Sequence, residues 1–218
     1  MQFRFPTGLS AEEYVQQEVW KYINISECPI HPGQDCKLTR HGTYERVVPP
    51  GTKIPRFLCH TETITCSLLA DCFSSRLSGT LIDVETVVFM VEEAARVRAP
   101  QSGDWLLNGI ISLCSLDIAT VADELNVDQR LFDLASDFKW LKRRVDYVRN
   151  ILTAMIMLFP GLFKDCTPSI TSFRLVLGDA PIFNQLRDIA ETKLHEIPEP
   201  LGLNPRFQRP HDMTWKPP

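Results

Sequence analysis

Apolar residues recur at alternating steps of three and four positions between residues 131 and 159. This spacing places them on one face of a long α-helix that spans four heptads and ends before Pro160. The stripe consists of Leu131, Leu134, Phe138, Leu141, Val145, Val148, Leu152, Met155 and Phe159. Such a helix is typical of the centre of an intramolecular bundle, and the same stripe can instead form a homodimer seam or bind a protein partner.

Shorter apolar patterns predict further helices on both sides of this segment. Ser10 and Glu13 form a capping box, which predicts a helix over residues 10–23. Helices are also predicted over residues 80–98, 105–116, 169–177 and 182–197. Residues 118–135 match the helix-turn-helix template in their apolar positions. Several aspartates lie where a recognition helix should be basic, so this segment is better suited to packing among helices than to DNA recognition.

A β-hairpin is predicted near the N-terminus. Residues 43–48 alternate in polarity, residues 49–52 form a turn, and residues 54–58 return as the second strand. We therefore predict a mainly α fold, a helical bundle with an N-terminal β-hairpin zinc ribbon. Its domains would be an N-terminal arm and zinc-ribbon-like domain (1–79), a helical bundle with the helix-turn-helix-like segment (80–197) and a Pro-rich C-terminal tail (198–218), which is either mobile or pinned over the bundle.

Cysteines and histidines are concentrated between residues 27 and 66. Cys28 and His31 have the two-residue spacing of a zinc knuckle, and Cys36 is a rival partner for Cys28. The second knuckle, at Cys59, lacks a Cys or His at the same spacing. The predicted zinc ligands are Cys28, His31, Cys36 and Cys59, and the fourth position stays open. The alternatives for that position are His60, Glu62 and Cys66.

Four short motifs follow one another between Cys28 and Thr80. They are Cys28-Pro-x-His-Pro-Gly, Arg40-His-Gly-Thr-Tyr-Glu-Arg46, Pro55-Arg-Phe-x-Cys59 and Ser67-Leu-Leu-x-Asp71-Cys72. The series resembles a bacterial zinc-ribbon family of unknown function, whose members are similar to the N-terminal zinc-binding parts of transposases and transposon-associated proteins. The resemblance implies zinc and DNA as ligands. Family members usually carry a second Cys or His just after the cysteine that matches Cys59, and here Glu62 or Thr63 takes that place.

Basic side chains are grouped on the predicted hairpin and on the outer face of the long helix. Arginines on a rigid ribbon suit phosphate contacts, and an aromatic neighbour such as Tyr44 can stack on a base. The candidate nucleic-acid-binding residues are Arg40, His41, Arg46, Lys53 and Arg56 on the hairpin, and Lys139, Lys142, Arg143 and Arg149 on the helix. The alternative is that both groups are solvated charged faces.

Charge and cysteine usage restrict the class of protein. A formal net charge of −4 argues against indiscriminate coating of nucleic acid, so any DNA contact would depend on a local basic patch. Seven unevenly spaced cysteines and the absence of a signal-peptide pattern favour a reducing cytoplasm. The most apolar run is too short to span a bilayer, so no membrane association is expected.

Catalytic motifs are absent from the sequence. It contains no P-loop, no G-x-S-x-G elbow and no H-E-x-x-H pair, so we expect no enzyme. The sequence favours a non-catalytic DNA-binding or transposon-associated accessory protein that uses a zinc ribbon and a basic helix face. The alternative is a protein-interaction or structural module in which the ribbon, with or without zinc, only stabilises the fold.

Overall fold

The computed structural model describes residues 2–31, 33–98, 134–190, 193, 196–197 and 213–214. The chain forms two compact units. The sheet unit comprises Met1–Leu81 together with Glu199–Pro218, and the helical unit comprises Ile82–Pro198. Each unit is described by itself below.

A mixed four-stranded sheet forms the framework of the sheet unit. Its strands are β1 (Gln2–Phe5), β3 (Leu38–Glu45), β4 (Lys53–Cys59) and β5 (Ile64–Ala70), arranged in the order β1-β5-β4-β3. Strand β1 runs parallel to β5, whereas the pairs β5–β4 and β4–β3 are antiparallel. A separate pair joins β2 (Asn24–Ile25) to β6 (Met213–Thr214). The C-terminal tail is thus paired with the sheet unit at β6.

The apolar core of the sheet unit packs one short helix against this sheet. Helix α1 (Ala11–Gln16) begins at the predicted capping box: the Ser10 hydroxyl accepts from the Glu13 amide at 3.2 Å, and the Glu13 carboxylate accepts from the Ser10 amide at 2.8 Å. The α-helix ends earlier than predicted because Glu18 adopts a left-handed conformation, and a 3-10 turn follows at Val19–Lys21. The buried side chains include Phe3, Phe5, Tyr14, Val19, Trp20, Ile54, Phe57, Leu68 and Phe73.

The predicted mainly α fold with a helical bundle is wrong, because the chain is an α/β protein with a four-stranded sheet. The predicted hairpin is present as β3 and β4, but the pattern did not show the other two strands. Strand β5 is buried at five consecutive positions and so lacks the polar alternation of a half-exposed strand. Strand β1 has four residues and pairs with residues more than 60 positions away. Neither strand therefore has a local sequence pattern that would predict it.

Five helices are described in the helical unit. They are α2 (Leu81–Arg98, whose first residue belongs to the sheet unit), α3 (Leu134–Leu158), α4 (Pro160–Phe163), α5 (Ile170–Leu177) and α6 (Ile182–Ala190). In α3 the predicted stripe is buried within the chain at Val145, Val148, Leu152 and Met155. Leu131, the helix predicted over residues 105–116 and residues 118–133 of the helix-turn-helix-like segment lie outside the described residues. None of the described helices is long and apolar enough to cross a membrane.

Two glutamates on α2, the buried Glu85 and the partly buried Glu92, hold the starts of α6 and α5. The Glu92 carboxylate accepts from the amides of Ile170 and Thr171, each at 2.9 Å, at the N-terminus of α5. The Glu85 carboxylate accepts from the Ile182 amide at 2.9 Å at the start of α6 and pairs with Arg174 at 3.1 Å. A negative charge at a helix N-terminus satisfies amides that lack an intrahelical acceptor. These contacts fix the two short helices against α2.

Candidate metal centre

Three separate segments bring the predicted metal ligands together. Cys28 and His31 lie on a turn that follows β2, where the His31 amide donates to the Cys28 carbonyl at 3.1 Å. Cys36 precedes β3, and Cys59 is the last residue of β4. The open end of the hairpin is held in register because Leu38 is opposite Cys59. The hairpin therefore positions Cys36 and Cys59 as neighbours, and the preceding turn supplies the other two ligands.

The four donor atoms lie within 4.8 Å of one another, which is close enough to hold a metal ion. Cys36 Sγ lies 3.4 Å from Cys59 Sγ, and His31 Nδ1 lies 3.5 Å from Cys59 Sγ and 3.7 Å from Cys28 Sγ. A regular tetrahedron with zinc bonds of about 2.3 Å to sulfur and about 2.0 Å to nitrogen has edges of roughly 3.8 Å (S–S) and 3.5 Å (S–N). The observed separations fit this arrangement, and the residues present suit a tetrahedral metal.

The four candidate ligands differ in exposure and in acidity. Cys28 and Cys59 are buried, whereas His31 and Cys36 are partly exposed. Burial raises the pKa of the Cys28 thiol to about 11, and a hydrogen bond from the Thr61 hydroxyl lowers the pKa of the Cys36 thiol. Metal binding must therefore displace a proton from Cys28 at neutral pH.

The turn after β4 contributes two polar contacts to the ligands. The Glu62 carboxylate lies 3.0 Å from His31 Nε2, which orients Nδ1 toward the thiols and raises the pKa of the imidazole. The Thr61 hydroxyl donates to Cys36 Sγ at 3.2 Å. A carboxylate on the outer nitrogen of a ligating histidine fixes its tautomer. The sequence offers Glu62 only as an alternative ligand and gives no indication of Thr61, because neither contact has a characteristic spacing.

The other proposed substitutes for the fourth ligand lie outside the cluster. His60 Nε2 hydrogen-bonds the Thr39 hydroxyl at 2.8 Å, so its ring is engaged on β3. Cys66 is a fully buried core residue of β5, where burial raises the pKa of its thiol to about 11. Cys36 instead occupies the fourth position of the donor set.

Two of the hairpin arginines bind backbone carbonyls of their own chain. Arg40 donates to the carbonyls of Trp20 and Ile23, the latter at 2.9 Å. Arg46 donates to the carbonyls of Ser74 (3.1 Å), Leu77 (2.7 Å) and Gly79 (3.3 Å), and burial lowers its pKa. Its guanidinium also lies 5.4 Å from the centre of the Phe73 ring. These bonds hold both guanidinium groups against their own chain, with Arg40 still exposed and Arg46 partly buried.

The remaining basic candidates are distributed over both units. His41 and Lys53 are exposed on the hairpin, and Arg56 is partly buried in β4. On α3, Lys139, Lys142 and Arg143 are exposed and Arg149 is partly buried. Lys142 pairs with Asp146 at 2.6 Å, and the Arg143 guanidinium lies 6.0 Å from the centre of the Tyr147 ring. Fewer of these basic side chains are therefore available to contact nucleic acid than the sequence alone suggests.

No family model, curated protein or solved structure matches this chain. The resemblance to a bacterial zinc-ribbon family therefore stays a prediction, and the function rests on the geometry of the site.

Proposed function

We propose that Cys28, His31, Cys36 and Cys59 bind one zinc ion and that this ion is a structural centre of the sheet unit. The proposal rests on one observation: three thiol sulfurs and one imidazole nitrogen lie at separations that fit a zinc tetrahedron. Thiolate and imidazole ligands select zinc or another thiophilic metal over magnesium and calcium, which prefer oxygen.

A closed set of ligands supports a structural rather than a catalytic role. Catalytic zinc sites usually keep a position for water beside three protein ligands, whereas four protein ligands complete the tetrahedron. Here the ligands join the turn that carries Cys28 and His31 to the open end of the β3–β4 hairpin. When bound, zinc supplies a crosslink between segments that are distant in sequence, and its binding free energy adds to the stability of the fold.

We favour a non-catalytic structural or protein-interaction module over the DNA-binding accessory protein. The observation behind this choice is that Arg40 and Arg46, the predicted phosphate contacts of the hairpin, donate to backbone carbonyls. The DNA hypothesis then depends mainly on His41, Lys53 and the exposed cations of α3. A binding titration at several salt concentrations separates the two roles, because phosphate contacts make affinity fall steeply with salt. Absence of affinity at low salt would exclude the DNA role.

Metal analysis of the full chain, purified without chelator, tests the proposed centre. We expect one zinc per chain, loss of zinc in Cys28→Ser/Cys59→Ser, and retention in Cys72→Ser. Cys72 is a suitable control because it lies in the same unit but outside the donor cluster. The double variant should also melt earlier, since structural zinc contributes folding free energy. A metal-free wild-type chain, or a double variant that keeps its zinc, would overturn the proposal.

A further inference from the structure

The three thiols of the cluster differ in their access to solvent. Cys59 is completely buried and Cys28 is 2% exposed, whereas Cys36 is partly exposed. A dissolved oxidant therefore meets Cys36 first. Cys59 Sγ lies 3.4 Å from Cys36 Sγ, well beyond a disulfide bond of about 2.05 Å but close enough to form one after a small movement.

We propose that the cluster is a peroxide-sensitive switch, in which oxidation joins Cys36 to Cys59 and releases the metal. The inference rests on the proposed zinc site and adds that oxidation regulates metal binding there. Thiolate sulfurs bind zinc, and a disulfide offers no thiolate, so the oxidised pair removes two of the four ligands. The partly exposed position of Cys36 and its buried neighbour match the attacking and resolving thiols of a redox sensor.

The reaction needs hydrogen peroxide as the oxidant. The Cys36 thiolate attacks one peroxide oxygen, the O–O bond breaks, and hydroxide leaves and takes a proton to become water. Cys36 is then a sulfenic acid, oxidised by two electrons. The Cys59 thiolate attacks its sulfur, the S–S bond forms, the S–O bond breaks, and the second hydroxide is protonated. Two thiolates, one peroxide and two protons give one disulfide and two waters.

The hairpin register makes Cys59 the resolving thiol rather than Cys28. Leu38 is opposite Cys59 in the β3–β4 ladder, and the His60 amide donates to the Lys37 carbonyl at 3.0 Å. The segments that carry Cys36 and Cys59 are therefore already held together by backbone hydrogen bonds. Cys28 lies on the preceding turn, outside this ladder. Oxidation would close the hairpin covalently while the Cys28–His31 turn loses its metal crosslink.

Thr61 provides a way to test attack at Cys36. Its hydroxyl donates to Cys36 Sγ at 3.2 Å and withdraws electron density from the sulfur. Thr61→Val removes this donor and should make metal release by peroxide about two- to fivefold faster. Thr61→Ser keeps a hydroxyl and is the matched control, with a rate close to that of wild type. An unchanged rate in Thr61→Val would contradict attack at Cys36.

The main experiment follows zinc release and disulfide formation together in the full, zinc-loaded chain. Hydrogen peroxide is added in substoichiometric steps, released zinc is measured with a chromophoric chelator, and disulfides are mapped by mass spectrometry after free thiols are blocked. We expect one zinc released per peroxide consumed, a Cys36–Cys59 crosslink, and recovery of zinc binding after reduction. Cys72→Ser/Cys166→Ser, which lacks two other partly exposed thiols, should behave identically.

The outcomes separate the switch from the site on which it depends. A chain that contains no zinc before oxidation would refute the proposed function. A zinc-loaded chain that retains its metal at stoichiometric peroxide, or that forms its disulfide through Cys28, would leave the structural zinc site in place and overturn the switch.

Discussion

Arg46→Met tests whether the arginine of the hairpin stabilises the fold or serves a ligand. The substitution keeps an unbranched side chain against Phe73 but removes the donor to the carbonyls of Ser74, Leu77 and Gly79. The single Ser74 hydroxyl proton can still serve the Leu77 or the Gly79 carbonyl, at 3.1 and 2.9 Å, and the Ser74 amide also donates to the Gly79 carbonyl at 3.2 Å. The main cost is therefore the unpaired Ser74 carbonyl, about 1–3 kcal/mol, plus roughly 1 kcal/mol for the lost cation–π contact.

The expected destabilisation of the sheet unit is about 2–4 kcal/mol, which corresponds to roughly a 30- to 900-fold change in its opening equilibrium. Hydrogen exchange measured by mass spectrometry can detect this change in peptides from β4 and β5, without requiring the two units to unfold together. Lys53→Met is the matched control because its side chain is exposed on the same hairpin. If the Arg46→Met variant exchanges hydrogen at the wild-type rate, the three hydrogen bonds to carbonyls contribute nothing to the stability of the sheet unit, and the reasoning is refuted.

Three further predictions concern the contact of Glu62 with His31, the buried carboxylate of Glu85 and the capping box of α1. Glu62→Ala should weaken zinc binding about 10- to 100-fold in a chelator competition because it frees the outer nitrogen of His31, and Glu62→Gln should recover part of the loss. Burial raises the pKa of Glu85 and Glu92, so their contribution to the stability of the helical unit is present below the ordinary carboxyl pKa and lost as pH rises through the folded-state pKa. Denaturant titrations should show that Glu85→Gln flattens this dependence; an unaltered pH profile would contradict it. Ser10→Ala should destabilise the sheet unit by about 1 kcal/mol in hydrogen exchange, and an effect near zero would mean that the capping box is not maintained in solution.

Local chemistry made part of this structure predictable. The capping box depends on residues three positions apart, and both of its hydrogen bonds are present. The hairpin depends on alternation and a short turn, and its strands lie at β3 and β4. The apolar stripe of α3 depends on helical periodicity, and its described central residues from Val145 to Met155 are buried. In each case the sequence pattern and the structure that it predicts lie within one short stretch of the chain.

Long-range pairing and side-chain direction could not be predicted in the same way. The parallel pairing of β1 with β5 joins Phe3 to Leu68, and no spacing rule connects residues so far apart. The positive charges of Arg40 and Arg46 were visible, but a sequence does not show whether a guanidinium faces solvent or folds back onto carbonyls. The role of Glu62 likewise follows from a turn that places it beside His31. These features depend on tertiary contacts.

The pairing of β2 with β6 makes the sheet unit a discontinuous domain, with the helical unit inserted between its two segments. A fragment cut after Leu81 would lose the partner strand of Asn24–Ile25, which lies three residues before the first metal ligand. A faithful minimal version would join residues 1–81 to residues 199–218 through a short flexible linker, or receive the second segment as a separate peptide. Restoration of zinc affinity by that peptide would measure how far the end of the chain supports the metal-binding turn.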